Sequence, residues 1–452
     1  MTRRLPLADP HRGAPVDVRF EGHAVRGFAG ESVAAALFAS GSRVLSRSLK
    51  YHRPRTFFCM EGHCGGCLVR VDGVPNVRSC VAPCAPGTEI EGQNAYPSPE
   101  IDLLGAVDFL FPRGMDHHTL MTGSSILNNL ASKVVRQLSG LGKLPSKVAT
   151  DLPPVRVMRV DVCVIGGGPA GLAAATAAAE RGARTLLIDD QLRLGGSMLA
   201  DPRTGIMAAD AAVAHAHKAG VTALTNSTAI AYFPEDDGGV LAVATPTGLV
   251  RAQARRWVWA TGGYSTNLLF HDNDRPGVMA ARGVGRLLVQ HGVLAGDRVA
   301  VIIGPGMKEY ADVLTSALRS AGAEVTEVHE DDVERARGRS WITAVECRSR
   351  RRIDCDVVAV AALPSPASEG PRQQGCHTVL DPSRGGFCVI VDRDGHTNAP
   401  GVLACGDVCG YRGPVASARN GAMVGAIAAD EARDAANDSW PGDARVPHEE
   451  GP

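Results

Sequence analysis

The chain has 452 residues, with 47 Lys and Arg against 48 Asp and Glu, so its net charge is −1. That balance gives no support for nucleic acid or an anionic membrane as the main partner. No apolar run approaches the roughly 20 residues that span a bilayer, and residues 1–15 lack the apolar segment of a signal peptide. We therefore expect a cytoplasmic protein with no nucleic-acid partner and no membrane span. Its twelve cysteines should be metal ligands or buried thiols rather than disulfides.

Residues 16–95, after a flexible N-terminus (1–15), predict a small domain of their own. Apolar and polar residues alternate around Gly22, which indicates a hairpin. The segment ESVAAALFASG predicts a short helix that ends at Gly41, and CLVRVDGVPNVRSC predicts a second hairpin that turns at Asp72–Gly73. Two hairpins around one helix predict a β-grasp, ferredoxin-like domain, which is small enough to need a bound cluster as a staple.

Between the helix and the second hairpin lies FFCMEGHCGGC, residues 57–67, which we call the cysteine loop. Cys59, Cys64 and Cys67 have the x4, x2 spacing of plant-type 2Fe–2S proteins. The glycines of the loop let the backbone wrap closely and aim N–H groups at the cluster. We predict Cys80 as the fourth ligand, with Cys84 as the alternative. Zinc is the alternative metal, although structural zinc sites usually show paired C-x2-C or C/H knuckles and only one such pair is present here.

A connector (96–156) leads to VCVIGGGPAGLAAA, where a predicted strand runs into a glycine-rich turn and a predicted helix. Gly166, Gly168 and Gly171 fit the dinucleotide fingerprint: a tight turn, close approach of a pyrophosphate, and close helix–strand packing. The helix N-terminus supplies N–H donors for the phosphates. Asp189, at the end of the next predicted strand, stands at the distance expected for an acid that binds a ribose hydroxyl.

Three strips, namely GGGPAG, WVWATGG and GVLACGDV, look like the signatures of the glutathione-reductase-like flavoproteins, which have two dinucleotide-binding domains. The resemblance implies FAD, with Asp407 near its ribityl and phosphate part and Gly195–Gly196 near its pyrophosphate. We predict these cofactor-binding residues: Gly166, Gly168, Pro169, Ala170, Gly171, Asp189, Asp190, Gly195, Gly196, Ser197, Ala229, Thr261, Gly262, Gly406 and Asp407.

A second βαβ pattern at residues 298–330 repeats the first, with GPGMKEY in place of GGGPAG. Gly304 and Gly306 match the first two glycines, but Glu309 stands at the third, where a side chain separates helix from strand. Glu327 is placed to hold a ribose. Binding of NAD here, or of NAD or FMN at a subunit interface, stays open. The predicted fold class is α/β, with an FAD-binding domain (157–275 and 377–432), an inserted second dinucleotide-binding-like domain (276–376) and a disordered tail (433–452).

The order of domains resembles the alpha subunits of heteromeric sarcosine oxidase, opine oxidase, hydroxyproline dehydrogenase and hydrogen cyanide synthase. Beyond the cofactor motifs, the resemblance rests on SLKYHRPRTFFC (48–59), FPRGM (111–115) and HDNDRPGVM (271–279). The long folate-binding half of the sarcosine oxidase alpha subunit has no counterpart, so folate-linked chemistry is not expected.

The resemblance implies an electron-transfer subunit of an amine or amino-acid dehydrogenase or oxidase that acts on CH–NH bonds. A flavoprotein beta subunit would carry the substrate site, with a further small subunit and a downstream electron acceptor as other partners. We assign no catalytic residue on this chain. The alternatives are a self-contained NAD(P)H-dependent flavin and iron–sulfur reductase, and a scaffold with vestigial cofactor sites.

Overall fold

The computed structural model describes residues 4–5, 12–48, 51–103, 155–234 and 239–435. The predicted connector and tail, and the motif FPRGM, lie largely or wholly outside these residues. The chain divides into two compact units, Met1–Val148 with Asn267–Ala362 and Ala149–Thr266 with Leu363–Pro452. Among the described residues, no helix combines the length and apolarity needed to cross a membrane.

The N-terminal domain of the first unit is a five-stranded sheet with one buried helix. The sheet has the order β2-β1-β7-β5-β6, in which β1 and β7 are parallel. Both predicted hairpins are present, and their turn residues Glu21–Gly22 and Asp72–Gly73 all have positive φ. The elements are β1 Pro15–Phe20, β2 His23–Phe28, α1 Val33–Ala39, β3 Ser46–Arg47, β4 Pro54–Arg55, β5 Leu68–Val71, β6 Val74–Arg78 and β7 Glu89–Glu91.

The N-terminal segment that we predict to be flexible is partly fixed. The guanidinium of Arg4 donates to both carboxylate oxygens of Glu31, at 2.8 and 2.9 Å. Both side chains are largely buried, and the backbone of Arg4 also forms an antiparallel β-bridge with Val293. The ion pair with the buried Glu31 carboxylate fixes the Arg4 side chain. Such a contact between distant residues cannot be seen in local sequence patterns.

The second unit contains a larger sheet with the order β10-β9-β8-β13-β12-β11, and β25, Val402–Ala404, lies beside β13. Strands β10, β9, β8, β13 and β25 pair in parallel, and β11 to β13 form an antiparallel meander. The first elements are β8 Arg156–Ile165, α2 Pro169–Glu180, β9 Thr185–Ile188, α3 Gly205–Lys218, β10 Thr222–Leu224, β11 Thr228–Phe233, β12 Val240–Thr245, β13 Gly248–Trp259 and β14 Gly263–Tyr264.

The inserted lobe belongs to the first unit and repeats this plan at smaller size. Its parallel sheet has the order β15-β21-β16-β17, and β18 to β20 form its meander. Trp341 of this lobe packs on Phe38 with ring centroids 6.3 Å apart, and Arg43 lies over the same indole. Its elements are β15 Val278–Ala280, α4 Ala281–His291, β16 Arg298–Ile303, α5 Lys308–Ser320, β17 Glu324–His329, β18 Val333–Gly338, β19 Ile342–Cys347, β20 Arg352–Asp354 and β21 Val357–Ala361.

The chain then returns to the second unit, where α7 covers α2. The returning elements are β22 Ser365–Pro366, α6 Glu369–Gln373, β23 Thr378–Asp381, β24 Gly386–Val389, β25 Val402–Ala404 and α7 Pro414–Asp434. The units divide at 266/267 and 362/363, whereas we predict 275/276 and 376/377. Tertiary contacts explain the difference. The backbone N–H of His271 donates to the carbonyl oxygen of Glu334 in the inserted lobe, and the indole N–H of Trp259 donates to the side-chain oxygen of Gln374.

Candidate functional site

The structure brings together the four cysteines that we predict as ligands. The thiol of Cys59 is in hydrogen-bond contact with those of Cys64 and Cys80, and Cys67 is in contact with Cys80. The four sulfurs thus form a chain of contacts, in the order Cys64, Cys59, Cys80 and Cys67. Four thiolates at the plant-type x4, x2 spacing are the ligand set of a 2Fe–2S cluster.

The contacts among these thiols divide them into two pairs: the pKa values of Cys59 and Cys67 are lowered, whereas hydrogen bonding to those two sulfurs raises the pKa values of Cys64 and Cys80. Hydrogen bonds from Cys64 and Cys80 lower the pKa of Cys59, and contact with Cys80 lowers the pKa of Cys67 to about 7. The N–H groups of Glu61 and Gly66 donate to the sulfurs of Cys59 and Cys64, each at 3.4 Å. Cys59, Cys67 and Cys80 are buried and Cys64 is exposed. The donor set therefore fits a 2Fe–2S cluster with one edge toward solvent.

Cys84, our alternative fourth ligand, faces a different part of the domain. A Cβ on Gly27 would lie 3.2 Å from its sulfur, and the charge of Glu31 acts on it. Burial raises the pKa of Cys84 to about 12. The geometry thus favours Cys80.

The glycine-rich turn between β8 and α2 has the shape of a dinucleotide cradle. A Cβ on Gly166 would lie 2.3 Å from Ala260 O, and one on Gly171 only 1.7 Å from Gly166 O. Gly168 is the N-cap of α2, and within the described residues no side chain caps that helix. The free N-terminal N–H groups are those that a pyrophosphate would use. Pro169 and Ala170 start the helix, and both are buried.

Asp189 contacts this turn directly. Its carboxylate accepts the N–H of Gly167 at 2.5 Å and the N–H of Gln191 at 2.9 Å. Asp190 is exposed and accepts from the Gln191 side chain. Of the two predicted acids, Asp189 is therefore the one that the structure places at the turn.

Gly195 and Gly196 close the cradle from the other side. A Cβ on Gly196 would lie 2.6 Å from the Cα of Gly168, so the two backbones meet without side chains between them. Ser197 follows in the 3₁₀ helix Gly196–Ala200. Ala229 lies on β11, two residues after Ser227, whose N–H donates to Asp189 O at 2.9 Å.

The carboxyl end of β13 leads to Thr261 and Gly262, and that of β25 leads to Gly406 and Asp407. Thr261 donates its hydroxyl to Ala367 O at 2.8 Å, and Gly262 has φ +68°. The buried carboxylate of Asp407 accepts from the Ser417 hydroxyl at 3.0 Å and from the Arg412 N–H at 2.9 Å. Because β8, β13 and β25 are parallel, these residues and the glycine turn share one edge of the sheet.

Sequence reasoning missed the part that α7 plays. A Cβ on Gly421 or Gly425 would lie 2.0 Å from the carbonyl oxygen of Ala170 or Ala174, respectively. Helix α7 therefore packs its backbone against α2 and fixes the helix whose N-terminus faces the cradle. The spacing of four between these glycines, on one helical face, is the signal that identifies such a contact.

His396 joins the loop before β25 to α7. Its Nε2 lies 2.5 Å from Glu431 and its Nδ1 lies 3.0 Å from Asp392. The hydrogen bond to Glu431 is the main reason that the pKa of His396 is raised. Burial alone would raise the pKa of Glu431, but hydrogen bonds from His396 and Arg256 lower it.

We therefore expect the second unit to lose stability above neutral pH. A histidine whose folded pKa is raised stabilises fully below its unfolded pKa of about 6.5, and the gain disappears as pH rises through the folded value. The melting temperature should fall by a few degrees or less between pH 6 and pH 9, since the pair is partly exposed. His396→Gln should flatten that slope and His215→Gln, at an exposed pair, should not. Equal slopes in all three proteins would contradict the assignment.

The inserted lobe keeps part of the dinucleotide geometry. A Cβ on Gly304 would lie 2.9 Å from Ala361 O, as Gly166 approaches Ala260 O in the other lobe. Glu309 lies in the first turn of α5, and Lys308 pairs with Asp312 and, at 3.6 Å, with Glu327. The predicted ribose acid Glu327 is thus already paired with a cation of the chain.

Comparisons with known proteins identify both domains. Residues 13–95 match the 2Fe–2S iron–sulfur cluster binding domain, and residues 161–228 match the FAD-dependent oxidoreductase family. The crystal structure of L-proline dehydrogenase from P. horikoshii has a TM-score of 0.72 at 20% identity, covering 95% of this chain and 76% of that chain. These features define an iron–sulfur flavoprotein oxidoreductase.

The family follows from relatives of known name. The sarcosine oxidase alpha subunit of Rhizobium meliloti is 32% identical over 355 residues, which cover 72% of this chain and 35% of the relative. A hydrogen cyanide synthase subunit of Pseudomonas aeruginosa is 34% identical over 85 residues, covering 19% of this chain and 81% of the relative. The chain belongs to the family of the sarcosine oxidase alpha subunits. It spans about a third of the length of the sarcosine oxidase relative above.

The predicted fold class and the two predicted cofactors, FAD and a 2Fe–2S cluster, are thereby confirmed. When bound, FAD accepts electron pairs and the 2Fe–2S cluster exchanges single electrons.

Proposed function

We propose that this chain is the electron-transferring alpha subunit of a heteromeric amine or amino-acid dehydrogenase or oxidase. The main support for this proposal is that the chain, a member of this family, carries both the set of four thiols and the glycine cradle. The four thiols would hold the cluster, and the exposed edge at Cys64 would face an electron-transfer partner. Gly168 and Gly196 would admit the FAD pyrophosphate, and Asp407 would orient the ribityl side.

The partner in this proposal is a flavoprotein beta subunit that binds the amine, with a small subunit and a downstream acceptor completing the assembly. We place the assembly in the cytoplasm, because none of the twelve cysteines is in a disulfide and a reducing compartment keeps cysteines in that state. A sarcosine, opine or hydroxyproline-like substrate is proposed from the family alone.

The test is anaerobic reduction followed by visible spectroscopy. We expect the chain, purified together with the flavoprotein subunit proposed as its partner, to be bleached by a secondary amine or imino acid. The chain alone should not be bleached by the same substrate. Bleaching of the isolated chain by the amine would contradict the proposal. Fast bleaching of the isolated chain by NADH, with none by amines in the complex, would replace it by an NAD(P)H-dependent reductase. Iron and flavin far below one site per chain would indicate a scaffold.

A further inference from the structure

A buried carboxylate in the cysteine loop meets two guanidinium groups from the inserted lobe. Glu61 lies between Cys59 and Cys64, and its side chain is 5% exposed. Its Oε1 lies 3.0 Å from Arg282 and 3.7 Å from Arg286, both on α4. The two arginine side chains are 13% and 5% exposed. We call these three residues the ion triad.

The triad places two positive charges and one negative charge next to the candidate ligands. One carboxylate faces two guanidinium groups, and an arginine stays protonated even when it is buried. Buried charge is costly unless other charges compensate it. The candidate ligands beside the triad would supply negative charge, since four thiolates give a 2Fe–2S cluster a net negative charge that grows on reduction.

The start of α4 also touches the backbone of the cysteine loop. The N–H of Ala280 donates to Phe58 O at 3.1 Å, and a Cβ on Gly283 would lie 2.6 Å from that oxygen and 3.1 Å from Cys59 O. Glycine at 283 thus permits the helix N-terminus, with its positive dipole, to reach the loop.

The loop is held in a conformation that needs such support. Met60, between Cys59 and Glu61, has φ +56° and is 1% exposed. A bulky residue with positive φ is strained and persists only where its surroundings fix it. The next N–H, that of Glu61, donates to the Cys59 sulfur at 3.4 Å. Anchoring the Glu61 carboxylate therefore aims its own N–H at a candidate ligand.

We propose that the inserted lobe forms part of the iron–sulfur site, and that the ion triad positions the cysteine loop and raises the reduction potential of the cluster. The triad residues act as positioning residues through the loop and through their field. The inference rests on the proposed cluster site. It gives the inserted lobe a role that requires no nucleotide.

The test is a redox titration of the cluster by EPR, in the full chain purified with its partner. Arg282→Gln and Arg286→Gln each remove a positive charge, so the cluster should become harder to reduce. Glu61→Gln removes the negative charge, so the potential should move the opposite way. We expect at least a tenfold change in the reduced-to-oxidised ratio at a fixed potential, which is about 59 mV for one electron. Arg282→Lys keeps the charge and should stay near the wild-type potential.

Arg4→Gln is the matched control, because the Arg4–Glu31 pair is comparably buried in the same domain and contacts Phe28 instead of the cysteine loop. It should leave the potential unchanged. Shifts of the same sign in all variants, or none, would overturn the inference, as would loss of the cluster in both Arg282→Gln and Arg282→Lys. A wild-type protein without a 2Fe–2S signal would instead overturn the proposed cluster site.

Discussion

Cys80→Ala is expected to abolish the iron–sulfur cluster. The thiol of Cys80 is in contact with those of Cys59 and Cys67. Its loss leaves three cysteine ligands for a cluster that needs four. Iron should fall from about two atoms per chain to near zero, and the visible and EPR signals should disappear. The N-terminal domain should also melt earlier, because a domain of this size depends on its staple. Iron analysis and a thermal scan measure both effects.

Cys84→Ala is the matched control, since it removes the same atom four positions along the chain. Its sulfur faces Gly27, so the variant should keep full iron content and lose only the small packing contribution of a buried sulfur, about 1 kcal/mol. Loss of iron in Cys84→Ala, with iron retained in Cys80→Ala, would reverse the assignment of the fourth ligand.

The N-terminal domain shows how far local patterns reach. The turn at Asp72–Gly73 and the x4, x2 cysteine spacing are local signals, and the structure contains the corresponding hairpin and loop. The choice between Cys80 and Cys84 was beyond such signals, because the spacing after the third ligand varies. It depends on how β6 returns beside the cysteine loop, where Ser79 donates its N–H to Cys67 O.

Contacts between distant segments explain what the sequence did not reveal. Glu61 meets Arg282 across more than 200 residues, and Arg4 meets Glu31 beneath the first hairpin. Each of these residues taken alone is typical of an exposed position. Only the tertiary fold buries them in pairs, and Glu61 and Arg282 lie in the N-terminal domain and the inserted lobe of one compact unit.

The two lobes that share a plan differ at one position with a large consequence. In the FAD lobe a Cβ at Gly171 would overlap the carbonyl oxygen of Gly166, whereas the inserted lobe carries Glu309 in the corresponding turn. The inserted lobe thus has a charged side chain, on α5, at the position where the FAD lobe has a glycine for close helix–strand packing. The sequence predicts the second βαβ pattern, but it does not predict the contact between the inserted lobe and the cysteine loop.

Gly168→Ala is expected to weaken FAD binding without unfolding the protein. Gly168 has φ −76°, and the nearest atom to its new Cβ would be the Cα of Gly196 at 3.7 Å, which is ordinary contact. The methyl group would, however, point into the cradle that the pyrophosphate needs. We expect at least a tenfold loss of FAD affinity, about 1.4 kcal/mol, with an unchanged melting temperature of the flavin-free protein. Flavin titration and thermal scans measure the two quantities.

Gly171→Ala separates the two effects, because its Cβ would lie 1.7 Å from Gly166 O and the helix would have to move. Overpacking of this kind costs about 1–3 kcal/mol or more, so this variant should lower the melting temperature even without flavin. If Gly168→Ala binds FAD as tightly as the wild type, the pyrophosphate does not lie against Gly168. If Gly168→Ala lowers the melting temperature of the flavin-free protein as much as Gly171→Ala does, glycine at 168 is needed for the packing of the turn rather than as room for the pyrophosphate.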